Sequence, residues 1–188
     1  MEILLSVLIG LGLSAACGFR VFVPLLIANL ASRSGHLALA DGFTWMASDP
    51  ALYAFGAATL LEIAGYYIPW VDNLLDAAAT PTAVIAGILL TASTFAGGDP
   101  FLRWTLAVLA GGGVAAVFQG MTAVTRQVST WTTGGLGNPL VATAEAGGSA
   151  VLSVLAVVLP VLAVLLIATM LFFAGRRFLV RRPAARPT

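Results

Sequence analysis

The chain has no lysine, one cysteine and one histidine, and 9% of its 188 residues are charged. A soluble domain carries roughly a quarter charged residues. With 60% hydrophobic residues and a mean hydropathy of +1.00, the composition excludes an ordinary water-soluble fold and predicts a polytopic membrane protein. A single Cys17 excludes an intramolecular disulfide, and its apolar surroundings predict a small packing residue. A histidine-based metal site or Ser-His-Asp triad would have to be built around His36, which sits in a polar segment where no such role is expected. The sequence also lacks a phosphate-binding Gly-rich loop with lysine, Cys-x-x-Cys, His-Glu-x-x-His and Gly-x-Ser-x-Gly. An enzyme is therefore not expected, nor a cofactor, and an intramembrane lipid enzyme using two carboxylates has no motif behind it. Only Met1 and Glu2 precede the first apolar run, unlike a cleaved secretory signal, so the first helix is expected to be retained.

The present charges are concentrated where they cost most. Glu62 stands inside an apolar run that starts at Ala51, and a carboxylate at that depth in lipid needs a partner or water. Asp72 and Asp76 follow at i, i+4 spacing, so on a helix they repel each other and call for something positive, or water, between them. Pro69 lies between Glu62 and this pair and predicts a helix that breaks near an interface.

Taken in order, Ile3–Ala31 is one apolar run interrupted by Gly18-Phe19-Arg20 and by Pro24. A continuous helix of about 29 residues would be roughly 44 Å long, beyond a hydrocarbon core of about 30 Å. A broken helix or re-entrant hairpin is expected, with Arg20 near mid-depth. Gly10, Gly12, Ser14, Ala15 and Ala16 form a small-residue face suited to close helix contact. Ser32–Pro50 suits a headgroup-level loop with a short interfacial helix. Ala51–Ile68 is a second spanning candidate. Thr82–Ala96 is a short third, closed by a turn at Gly97-Gly98-Asp99-Pro100. Phe101–Val124 is a fourth, with Gly111-Gly112-Gly113 placed for close backbone approach. Arg126–Asn138 is polar and reads equally as a surface loop or a cavity-lining stretch. Pro139–Ala150 reads as a half-helix holding Glu145, followed by a full span at Val151–Ala174.

Five of the nine arginines, Arg176, Arg177, Arg181, Arg182 and Arg186, lie in the last thirteen residues. They predict a cytoplasmic tail over 176–188. Beyond Phe178 no aromatic is interleaved with them, so anionic lipid rather than nucleic acid is the expected contact.

Leu5, Val7, Leu8, Gly10, Gly12 and Ala15 recur as Leu106, Val108, Leu109, Gly111, Gly113 and Ala116. Each half also presents an arginine followed by a glutamate, Arg20 then Glu62 and Arg126 then Glu145. An internal two-fold repeat is expected, with halves at 1–98 and 99–175 of a single transmembrane domain, of the kind often inverted in transporters.

The blocks Gly18-Phe19-Arg20-Val21-Phe22-Val23-Pro24-Leu25-Leu26, Glu62 with Ile68-Pro69-Trp70-Val71-Asp72-Asn73-Leu74-Leu75-Asp76, and Gly137-Asn138-Pro139 with Glu145 resemble a bacterial membrane family filed as domain of unknown function forty-one twenty-six. The resemblance covers nearly the whole chain. It implies a small multi-pass inner-membrane protein and supplies no activity. Members tend to carry an Asp-Lys pair where this chain has Tyr66-Tyr67, and often an arginine at Thr82, so site chemistry does not transfer with the resemblance.

The expected fold is therefore an all-α integral membrane protein with about five or six inserted segments, some of them broken or re-entrant half-helices. Its candidate pathway residues are Arg20, Glu62, Asp72, Asp76, Arg126, Asn138 and Glu145. The arginines and glutamates either line a polar pathway or fix how helices meet as structural bridges. The aspartates either take a cation or proton or form a solvated turn, and Asn138 either offers an amide to a cavity or, the preferred reading, caps a helix. The expected function is a small transporter or channel for an ion or polar solute; the alternative is a lipid-binding or scaffolding membrane protein. A homodimer in the inner membrane, with a cytoplasmic C-terminus, completes the expectation.

Overall fold

The computed structural model describes residues 2–95 and 99–180, which form helices and, among the described residues, no strand. The expected glycine turn at Gly97-Gly98 and the tail arginines Arg181, Arg182 and Arg186 lie outside the described residues. The elements are α1 (Glu2–Cys17), α2 (Phe22–Arg33), a 3-10 turn (Thr44–Ala47), α3 (Asp49–Gly65), α4 (Pro69–Thr94), α5 (Pro100–Leu106), a π-helical segment (Ala107–Gly112), α6 (Gly113–Thr133), α7 (Asn138–Val158) and α8 (Pro160–Val180). Proline sets the helix starts. Pro50, Pro69, Pro100, Pro139 and Pro160 each occupy the first or second position of a helix, where the missing N–H forfeits no bond and φ is preset. Where α6 ends, Gly134 turns the chain with φ of 62°, a left-handed conformation suited to glycine.

Successive spans reverse direction. Gly10 faces Thr94 while Ser14 reaches Gly87, so α1 and α4 are antiparallel. Gly12 against Ala156 and Ala16 against Ser149 set α7 antiparallel to α1. The Ala40 N–H donates to the Ser93 carbonyl, returning the chain after α2 to the far end of α4. Gly111 against Thr91 and Arg126 against Asp72 set the α5–α6 rod antiparallel to α4. One end of the bundle thus gathers the α1–α2 break, the α3–α4 turn and the α6–α7 turn.

At the centre lies α1, against α2, α4, α6, α7 and α8. Its small residues admit neighbouring backbones, and hydroxyls bond across the gaps. Ser14 donates to the Gly87 carbonyl at 2.7 Å, and Ser149 donates to the Ala16 carbonyl at 3.0 Å. The close-approach expectation is met at Gly111 and Gly112, which face Gly87, Thr91 and Ile88, but Gly113 faces open space.

The break at Gly18–Val21 and the short helix at Thr44–Ala47 fall where the sequence predicts them. Three expectations are corrected. Instead of a short helix starting at Thr82, α4 runs 26 residues through Pro81. The Thr82 hydroxyl donates to the Ala78 and Ala79 carbonyls at 2.7 and 3.0 Å, supplying donors beside the interruption that proline makes. Of the two readings of the polar stretch, the surface loop is corrected from Arg126 to Thr133, which is the last third of α6. Glu145 sits on a 21-residue helix, and the division in this region falls at Leu159-Pro160 instead of near residue 150.

By length and composition three helices can cross a membrane: Trp70–Thr94, the continuous rod Pro100–Thr133, and Asn138–Val158. Glu2–Cys17, Phe22–Arg33 and Pro160–Arg176 are apolar but shorter.

Candidate functional site

The end of the bundle that gathers three chain reversals also gathers the charges. On α6, Arg126 projects between α4 and α7. Its Nη1 donates to Asp72 Oδ1 at 2.7 Å and to Asp76 Oδ1 at 3.3 Å, so the positive group that the i, i+4 aspartates require is this guanidinium. On its other edge, Nε and Nη2 donate to Glu145 in the forked manner that makes arginine–carboxylate pairs strong, with Nη2 to Oε2 at 2.5 Å. One guanidinium therefore ties two acids of α4 and one of α7 to α6.

Arg20 reaches the same carboxylate from the α1–α2 break. Its Nη2 lies 3.2 Å from Glu145 Oε2 and donates to the Ala142 carbonyl at 2.9 Å. Glu145 thus pairs with the arginine of its own half, Arg126, and also with Arg20 of the other half. Arg20 is 2% exposed, and its Nε and Nη1 have no hydrogen-bond partner among the described residues. Tyr66 lies between the two arginines, with guanidinium carbons 3.7 Å and 4.0 Å from its ring centroid. The ring's negative faces attract both cations and separate them. Tyr66 is absent from the residues singled out by sequence; the available signal is its place four residues after Glu62, on the same helical face.

Glu62 is the exception in this cluster. Among the described residues it makes no ion pair within 4 Å; its two oxygens accept the backbone N–H groups of Val21 and Phe22 at 2.8 and 3.0 Å. Helix α2 has no side-chain cap of its own, so a carboxylate from α3 supplies one and answers the positive end of the helix dipole. Glu62→Ala is expected to lower stability by about 2 to 3 kcal/mol, because two buried donors lose a charged acceptor. Glu62→Gln, with one acceptor oxygen left, should cost about half as much. Equilibrium unfolding in mixed micelles checks this, and a loss below about 0.5 kcal/mol for the alanine variant contradicts the capping role.

Asn138 does not cap α7 as expected. Gly137 holds that position, and the Asn138 amide donates to Thr130 Oγ1 at 3.1 Å and reaches Asp72 Oδ2 at 3.5 Å. A start at residue 138 points this side chain back across the turn onto α6 and α4. All seven sequence-identified residues therefore assemble at one end, six in a connected polar network and Glu62 beside it. His36 is exposed, beside Ser34 at 3.0 Å, and takes no part. Among the described residues no group of three or more His, Cys, Asp or Glu side chains is placed to hold a metal ion.

Exposure is graded through the network. The Asp76 side chain is 39% exposed, Asp72 8% and Arg20 1%. A cavity of about 240 Å³ lined by Phe19, Thr122, Thr125, Val141, Ala144 and Glu145 touches the cluster from the side. Chemically the arrangement can exchange protons or bind a cation at its acidic mouth, and it can hold helices together by charge.

No curated protein matches the chain, and no solved structure does. A family pattern described as Domain of unknown function (DUF4126) matches residues 7–179, from α1 into the last turn of α8 and across the entire cluster. By that match the chain belongs to the DUF4126 family.

Proposed function

We propose that the chain is a small transporter or channel of a bacterial inner membrane, passing an ion or small polar solute by way of Asp76, Asp72, Arg126 and Glu145. The observation that carries this reading is the sharing of Arg126 by three carboxylates, with the most exposed of them, Asp76, at the mouth. Two guanidiniums face three network carboxylates, leaving one negative charge in excess before Glu62 is counted. Burying charge for architecture would be served by matched pairs. An acidic excess at an opening instead attracts protons or cations. An arriving cation competes with Arg126 for Asp76 and Asp72, and release of that contact loosens α4 from α6 while Glu145 retains Arg126.

In this reading the three shorter apolar helices insert beside the three long ones, giving six segments, with α2 a half-length one. The arginines beyond α8 set the charged end toward the cytoplasm. The repeat enters as a parallel duplication rather than an inverted one, because α1 and α6 both run antiparallel to α4, and the matched Gly10 and Gly111 both press on Thr91. A homodimer would enclose a wider pathway.

A second reading is favoured by the directness of the contacts: Arg126 and Arg20 touch their carboxylates without intervening space, as in a charge lock that holds a scaffold. Proton and monovalent-cation flux in proteoliposomes separates the two. Parent flux should exceed that of empty liposomes, and Asp76→Asn should reduce it by about tenfold, the scale of one electrostatic contribution near 1.4 kcal/mol. Flux equal in empty, parent and variant liposomes rejects the pathway and leaves the lock.

A further inference from the structure

Between α6 and α8 lies an apolar groove of about 980 Å³. Its walls are Gly120, Met121 and Val124 on α6 and Met170, Phe173 and Gly175 on α8. The groove is open: no heavy atom lies within 4 Å of where a Cβ on Gly120 or Gly175 would stand. Its size is at the upper end of clefts that hold ligands of 300 to about 1,000 Å³. Beyond its wall on α8 the chain turns basic. Arg176, exposed, and Arg177 come directly after Gly175, then Arg181, Arg182 and Arg186 in sequence, and no acidic residue stands after Glu145. An apolar trough ending in cations of one sign is complementary to an amphiphile with an anionic head.

We propose that this groove seats an acyl chain of an anionic phospholipid, with the headgroup resting on the arginine end of α8. The chain fills the space between Met121 and Phe173, while the exposed Arg176 neutralises the phosphate. This assignment is independent of whether the charge cluster transports.

The test is native mass spectrometry of the full chain after incubation in mixed micelles holding equimolar phosphatidylglycerol and phosphatidylcholine. The parent should retain phosphatidylglycerol over phosphatidylcholine by about fivefold, the ratio that one such arginine contact supplies. Arg176→Gln should bring that ratio near parity. Gly120→Leu, whose Cβ meets no neighbour within 4 Å, should abolish retention, while Gly56→Leu, equally open at Cβ but on α3, should leave it unchanged. Equal retention of both lipids by the parent overturns the proposal, as does retention that Gly120→Leu leaves intact. A lipid-free dimer lost in Gly120→Leu also overturns it, assigning the groove to a second copy of the chain.

Discussion

Arg126→Gln is expected to lower stability by about 3 to 5 kcal/mol, because it leaves three acids without the cation they share. The guanidinium is 5% exposed and touches Asp72, Asp76 and Glu145, so the variant strands carboxylates on two helices in surroundings that penalise unpaired charge. Tyr66 also loses the cation on one face. Arg126→Lys keeps the charge but cannot fork onto Glu145 while reaching Asp72, so it should recover part of the loss, not all. Unfolding in mixed micelles reads both variants. A lysine variant as stable as the parent would show that net charge rather than fork geometry holds the helices.

Gly18→Ala is expected to cost about 2 to 3 kcal/mol, at the upper end of overpacking penalties. Gly18 is not among the glycines with positive φ, so alanine fits its backbone conformation and the cost arises from contact. A Cβ there would collide with Phe118 Cβ and stand 2.7 Å from the Gln119 nitrogen and 2.9 Å from the Ala115 carbonyl. Backbone atoms cannot rotate aside, so α6 would have to move from α1, carrying Arg126 with it and straining the bond from Thr122 Oγ1 to the Gly18 carbonyl at 3.1 Å. Gly120→Ala on α6 is the control: with nothing near its Cβ it should be neutral or gain up to about 1 kcal/mol from helix propensity. Equal effects from the two would contradict close approach at Gly18.

Much of the cluster was legible because an ionised group in an apolar run needs a reason to be there. That expense singles out Arg20, Glu62 and Glu145, and the i, i+4 aspartates ask for a cation from their spacing alone. Partners were less legible. Arg20 pairs with Glu145, 125 positions away, and Glu62 turns from charge partner to helix cap because the Val21–Phe22 backbone, not a side chain, comes to it. Prolines misled in both directions. Pro81 reads as a helix start yet is carried inside α4, where Thr82 supplies donors beside the gap, while Pro160 divides an apolar run that looks continuous. The Thr-rich end of α6 admits a loop as one of its two readings because its hydroxyls compete for backbone bonds. Here Thr125, Thr132 and Thr133 spend them on carbonyls of their own helix and leave it intact. Tyr66 was hidden by its neighbours Tyr67 and Trp70, which suggest an aromatic belt.

A double-mutant cycle on Arg126 and Asp72 addresses the shared guanidinium most directly, using Arg126→Gln, Asp72→Asn and the two combined, each read by unfolding in mixed micelles. The double variant should be less damaged than the sum of the singles, with a coupling of about 2 kcal/mol, because removing the acid relieves the charge that the missing arginine strands. Losses additive within about 0.5 kcal/mol would mean that Arg126 and Asp72 do not hold one another, and the lock joining α4 to α6 would not exist.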